Sequence, residues 1–186
     1  MHCMPYLLLI RHGDYDYADA RPENRGQVLT KLGLQQAKAT AEWLAGCGNR
    51  VEAVRSSDFV RAQQTAAVIA QALPGARVFK SETLRECRDV YYQDHQQVPS
   101  SADTAYAELL ECAAASPYAN VIVCHANLIR YLLSRLLAWP RKTWDRTVIP
   151  NCSVSIIEFG ASRGSRPRAL SVAAQEHLPQ RLREQL

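Results

Sequence analysis

The sequence predicts an α/β protein: a three-layer α/β/α sandwich around a largely parallel sheet. Two observations carry that expectation. The apolar runs YLLLI at 6–10 and VIVC at 121–124 lack polar alternation, the pattern of strands buried on both faces. Between and around them, other strand-like runs alternate with stretches whose apolar residues recur at helical spacing. A length of 186 residues suits one domain with a substantial core, so residues 1–186 are read as a single domain.

After the first strand comes a polar loop from Gly13 to Leu29, rich in Asp, Arg, Asn and Gly. Thr30 offers a capping side chain, and Leu34, Ala37, Ala41 and Leu44 follow at helical spacing until Gly46 and Gly48 end the helix. VEAVRSS at 51–57 reads as the second strand, and a second helix runs from Arg61 to Leu73, stopped by Pro74 and Gly75. A short strand at 77–80, an irregular polar loop over 84–101 and a third helix over 102–115 precede VIVC. The fourth helix, 127–138, carries Leu132, Leu133, Leu136 and Leu137 on more than one face, with Trp139 beyond. Burial and a homodimer contact are both open readings of that stripe. SVSIIEF at 153–159 is a strand, and Leu170 to Ala174 can pair back with it after the Gly/Arg/Ser turn at 160–168.

Apolar residues make up 47% and charged ones 22%, close to globular averages, which excludes a disordered chain. A net charge of +4 is too small to call for a nucleic-acid partner. Of 22 basic residues only Lys31, Lys38, Lys80 and Lys142 are lysines. The arginine fork suits phosphate and carboxylate, although genomic base composition produces the same bias. Six cysteines are scattered, with no C-x-x-C pair and no Cys/His cluster at zinc spacing. Free thiols in a reducing cytosol fit this pattern, so a cytoplasmic protein is expected. MHCMPYLLLIRHG lacks the basic start and the length of a signal peptide, and no stretch is long enough to span a bilayer. No membrane partner is expected.

Sites in parallel sheets assemble at the carboxyl ends of the strands. There the sequence puts Arg11-His12-Gly13, then Ser56-Ser57 with Arg61 beyond, then Leu84-Arg85-Glu86, and finally His125. Cys124 competes with the imidazoles, because Cys124 to Arg130 has the C-x5-R spacing of cysteine-dependent phosphatases. That stretch lacks the glycines with which such a loop turns its amides inward. Taken singly, each candidate has a plain reading: strand-end histidines, surface arginines, a solvated acid.

Taken together they form a pattern. LLLIRHG, LTKLGLQQA, SSDFVRAQQTA, LRE and VCHANLIR, in this order, resemble the motifs of the histidine phosphatase superfamily, whose archetype is phosphoglycerate mutase. The resemblance covers about residues 6 to 159, and CHANLIRY with its short upstream spacing is most similar to the serine/threonine protein phosphatase branch. It implies a phosphoglycerate mutase-like fold and a phosphomonoesterase that needs no metal or other cofactor and forms a covalent phosphohistidine. The catalytic residues implied are His12, Glu86 and His125; Arg11, Arg61 and His125 would bind phosphate, with Gly13 turning the chain beneath it. In that role Glu86 protonates the leaving oxygen and then activates water, with Glu82 and Asp89 as alternative acids. The fourth helix's N-terminal amides would also face the phosphate. Arg85 and Arg88 are expected at the rim, His177 at the surface, and Cys124 as a buried structural thiol.

Only 38 residues separate Glu86 from His125, which implies an open site suited to phosphoproteins or other bulky phosphoesters and unsuited to a mutase. A small-metabolite phosphatase, a cysteine-dependent phosphatase using Cys124, and a catalytically silent phosphate-binding module stay as alternatives. Few residues precede the first strand, so the upstream activating segment and membrane anchor of that branch are expected to be missing, and with them a mitochondrial location.

Overall fold

The computed structural model describes residues 6–18, 28–87, 100–144, 146–160 and 165–184. Its strands are β1 (Tyr6–Arg11), β2 (Val51–Ser57), β3 (Arg77–Ser81), β4 (Ala119–Cys124), β5 (Val154–Glu158) and β6 (Arg168–Ala174). They form one sheet in the order β3-β2-β4-β1-β5-β6. The β1–β4, β2–β4 and β2–β3 pairings are parallel, whereas β5 and β6 add an antiparallel edge. The expected return of the last strand onto its neighbour is therefore present.

Side-chain alternation along β1 divides the core. Leu8 and Ile10 pack with Ala41 and Leu44 of α1 (Lys31–Gly46) and Ala62, Ala66 and Ile69 of α2 (Val60–Gln71). Leu7 and Leu9 pack on the opposite face with Ala105 and Leu109 of α3 (Ser100–Ala115) and Leu128, Ile129 and Leu132 of α4 (Ala126–Leu137). This is the expected three-layer sandwich. Each fully buried leucine or isoleucine contributes about 1.5–3 kcal/mol, so the continuous apolar runs of β1 and β4 drive assembly.

Thr30 caps α1 as expected, its Oγ1 accepting from Gly33 N at 3.1 Å. The leucine stripe of α4 is spent inside the chain: Leu132, Leu133 and Leu136 are buried, and Leu137 and Trp139 pack against the same cluster. That answers the stripe in favour of burial. β4 begins two residues earlier than read, because the buried Asn120 interrupts an otherwise apolar run. A one-turn helix, α5 (Arg141–Trp144), was not expected.

The loop leaving β1 crosses the start of α1 at backbone distance. A Cβ on Gly13 would lie 2.6 Å from Gly33 O, and one on Gly33 would lie 2.0 Å from Asp14 O. Gly13 was expected to make room beneath a phosphate; what fills the space beside its Cα is this helix instead. Gly33→Ala must push the two segments apart and is expected to cost roughly 1–3 kcal/mol, read as a lower urea midpoint with an unchanged slope.

Candidate active site

Four segments deliver the expected side chains to the carboxyl end of the parallel strands. His12 directly follows β1, Arg61 lies in the first turn of α2, Glu86 follows the 3-10 turn Glu82–Leu84, and His125 is the residue before α4. His12, Arg61 and His125 are buried, at 2%, 4% and 0% exposure. The two imidazole ring centres lie 5.1 Å apart.

Arg61 holds both rings. Its Nε lies 3.0 Å from His12 Nε2 and its Nη2 lies 3.1 Å from His125 Nδ1. A guanidinium has only donors, so both of these ring nitrogens accept. The His12 proton therefore resides on Nδ1, which donates to Gly13 O at 2.8 Å. His12 Nε2 thus carries a lone pair facing the site, and His125 carries its proton on Nε2. Burial, followed by the charges of Arg61 and Arg11, holds the His12 imidazole well below its usual range, against the Gly13 hydrogen bond. A neutral imidazole with an in-plane lone pair turned to the site is what nucleophilic attack requires.

Arg61 is itself sandwiched: its guanidinium lies 4.6 Å from the Tyr15 ring centre and 5.0 Å from that of Phe59. Tyr15 also meets the His12 ring edge-on at 5.1 Å, and burial pushes its hydroxyl up to about 12. Arg11 is anchored by Nη1 donating to Ile149 O at 2.7 Å, and it lies 4.0 Å from Glu184. Thr65, one turn beyond Arg61, accepts from Gly13 N at 3.0 Å and donates to Arg61 O at 2.8 Å. Gln36 of α1 accepts from Asp14 N at 2.9 Å and donates to Leu182 O at 2.9 Å, stitching the segment after His12 to the C-terminal turn.

Glu86 is half-buried. Its Oε1 accepts from Asn127 N at 3.1 Å and Cys87 N at 3.2 Å. Burial raises its carboxyl above the usual range, outweighing the α4 amides and the arginines, which favour the charged form. The amides of α4 were expected to face a phosphate; here the acid takes that of Asn127, which ties the Glu86 carboxyl to the helix beginning at His125. Arg85 is a rim residue as expected, and it also braces the loop around it. Its Nε donates to Asp58 Oδ1 at 2.8 Å, and it pairs with Glu82 as well. Arg88 and Asp89 lie outside the described residues.

The rival thiol is poorly placed. Cys124 is fully buried, its carbonyl accepts from His12 N at 3.1 Å, and burial pushes its thiol far up. Arg130 donates to Thr147 O at 2.7 Å and Asn127 Oδ1 at 2.8 Å, so it braces a helix instead of closing a phosphate loop. His177, expected at the surface, is partly covered by Trp43 and bonded to Thr40, away from the site. Among the described residues, no group of three or more His, Cys, Asp or Glu side chains could hold a metal ion, and no helix is long and apolar enough to cross a membrane.

Tyr15, Thr65, Gln36 and Asn151 were not anticipated. Thr65 and Gln36 lie inside recognised motifs, and their spacing of four residues from Arg61 and six from Thr30 was the available signal. Tyr15 and Asn151 carry no local signal at all.

The model of the histidine phosphatase superfamily (branch 1) matches residues 7–112 and 93–169. The mitochondrial serine/threonine-protein phosphatase PGAM5 of Xenopus tropicalis is 29% identical over 169 residues, covering 82% of this chain and 59% of that protein. Its Caenorhabditis elegans counterpart is 30% identical over 166 residues, covering 81% and 57%. The chain thus spans somewhat over half the length of these relatives. Among solved structures, phosphoserine phosphatase from Entamoeba histolytica in complex with 3-phosphoglyceric acid superposes with a TM-score of 0.73 at 22% identity, covering 95% of this chain and 100% of that one. Phosphoglycerate mutase from Plasmodium falciparum superposes with a TM-score of 0.67 at 24% identity, covering 95% of each. At these identities the likeness is one of fold.

The cytoplasmic expectation is corrected by these relatives, whose names are mitochondrial. Scattered free thiols report a reducing environment and do not distinguish one reducing compartment from another. Motif order, strand-end placement and the matching family model agree: the chain belongs to the histidine phosphatase superfamily.

Proposed function

We propose that this chain hydrolyses phosphomonoesters, phosphoproteins among them, through a phosphohistidine at His12 and without a metal ion. The observation that carries the reading is the double hold of Arg61, which leaves the lone pair of His12 on Nε2 and the proton of His125 on Nε2. An arriving phosphoryl group takes over the Arg61 donors. Arg11, Arg61 and His125 then stabilise its oxygens, supplying the positive charge that a metal provides elsewhere.

In the first step the His12 Nε2–phosphorus bond forms as the ester phosphorus–oxygen bond breaks, and the Glu86 carboxyl gives its proton to the departing oxygen. In the second, water attacks phosphorus, Glu86 takes a proton from it, the nitrogen–phosphorus bond breaks and inorganic phosphate leaves. Phosphoprotein substrates are supported by the activity for which the relatives are named, at 29% and 30% identity. The Cys124 mechanism is disfavoured by burial of the thiol and by the engagement of Arg130. The presence of both histidines and the acid argues against a silent binding module.

The purified chain is expected to hydrolyse p-nitrophenyl phosphate at an undiminished rate in excess EDTA and to be inhibited by vanadate. Rapid acid-free quenching should trap an acid-labile, base-stable phosphoryl label. Activity lost in EDTA and restored by magnesium or manganese would refute the metal-free reading. Parallel assays on phosphoserine peptides and small phosphate esters separate protein from metabolite substrates.

A further inference from the structure

The loop between α5 and β5 brings a polar side chain under the nucleophile. Asn151 is buried at 3% exposure, and its Nδ2 donates to His12 O at 2.8 Å. The same Nδ2 lies 3.5 Å from His12 Nδ1. Nδ1 is already the donor to Gly13 O at 2.8 Å, so that longer approach is donor beside donor and forms no bond. The Asn151 backbone is clamped on both sides: its carbonyl accepts from Gln175 Nε2 at 2.8 Å and its amide donates to Glu184 Oε1 at 3.0 Å. The next residue, Cys152, adopts φ +51, a region disfavoured for side chains with a Cβ, and donates to Arg11 O at 3.0 Å.

We propose that Asn151 is a positioning residue for the nucleophile: its clamped side-chain amide anchors the His12 carbonyl and so holds the ring where Nδ1 donates to Gly13 O and the Nε2 lone pair faces the site. The proposal rests on the reading of His12 as nucleophile. It also gives the C-terminal segment a role, since Gln175 and Glu184 hold Asn151 in place. Among the described residues, the charged and titratable groups around the ring are Arg61, Arg11, Tyr15 and His125, with Glu86 near both arginines, Glu184 behind Arg11 and Asp14 turned to Thr30. None of them places an anion beside Nδ1. An aspartate at 151 would do so, and it would lose the donor to His12 O.

Asn151→Ala is expected to lower kcat on p-nitrophenyl phosphate by roughly 10–100-fold through a misplaced ring, with KM within about twofold of wild type. Asn151→Asp is expected to move the acid limb of kcat upward by about 1 pH unit or more, because an adjacent carboxylate favours the imidazolium. A merely structural role would lower the melting temperature and leave kcat per folded molecule of Asn151→Ala at the wild-type value. A limb that superposes on wild type, or a loss confined to KM, overturns the proposal. In case the variants fold poorly, labelled wild-type protein supplies a second reading. A scalar coupling across the hydrogen bond from Asn151 Nδ2 to the His12 carbonyl carbon is expected, and its absence overturns the proposal. Absence of phosphoryl label from wild-type His12 removes the parent reading and this one with it; label on His12 with an unmoved limb in Asn151→Asp sinks this one alone.

Discussion

His12→Ala is expected to abolish hydrolysis of p-nitrophenyl phosphate, by roughly 10⁴–10⁶-fold, while Cys124→Ser keeps turnover near wild type. The size follows from the kind of group removed. Without a nucleophile no covalent intermediate forms, and the remaining donors bind phosphate without displacing anything from it. Arg61 would also lose the nitrogen acceptor that orients its Nε at 3.0 Å. Cys124 differs because its side chain packs in the core with Leu128 and Ile122 on the α3–α4 face. Serine there buries a hydroxyl and should lower stability by about 1–3 kcal/mol while leaving the rate per folded molecule intact. An active alanine variant beside a dead serine variant would mean that the histidine mechanism is wrong and that the C-x5-R spacing mattered after all.

Glu86→Gln is expected to lose about 10²–10⁴-fold on phosphoserine peptide or glycerol phosphate, and much less in the first step on p-nitrophenyl phosphate. An alkoxide needs a proton to leave; p-nitrophenolate departs largely unaided. Glutamine retains an Oε1 for the Asn127 amide, so the start of α4 keeps its partner and the variant tests the proton alone. Because water attack then lacks its base, a phosphohistidine burst at His12 should accumulate with p-nitrophenyl phosphate. The pH dependence has a definite sign. Burial raises the Glu86 carboxyl, so the protonated form persists above the usual carboxylate range, and activity on poor leaving groups falls as pH rises through the raised value. That limb should vanish in Glu86→Gln. Equal losses on both substrates with no trapped phosphoenzyme would assign Glu86 to structure or binding, leaving Glu82 and Asp89 as the acids to examine.

Much of the candidate site was legible because its residues sit where strands end. His12 and His125 are read off directly, one following YLLLIR and the other following ANVIVC, and Arg61 follows β2 within one short turn. The supporting groups were not legible in the same way. Tyr15 matters because it lies under Arg61, Thr65 because its hydroxyl reaches Gly13, and Asn151 because a loop more than a hundred residues away passes beneath His12. Polar residues of these types occur throughout any chain, and nothing in their local spacing distinguishes a supporting position from a surface one. The α4 amides were assigned to phosphate because a helix start generally suits an anion. Their neighbour proved to be the Glu86 carboxyl, a pairing set by where the loop after β3 lands.

By itself the sequence determined the layer order, the parallel core and the identity of five candidate side chains at the strand ends, since continuous apolar strands and ordered motifs are local properties of the chain. Tertiary structure alone decided the states of those groups. Arg61 spans from His12 to His125, and that geometry assigns both ring tautomers. Burial then lowers the proton affinity of His12 and raises that of Glu86. It also pushes the Cys124 thiol up, away from the thiolate form. Protonation depends on the distances and dielectric surroundings of atoms from several segments, and these exist only once the segments have come together.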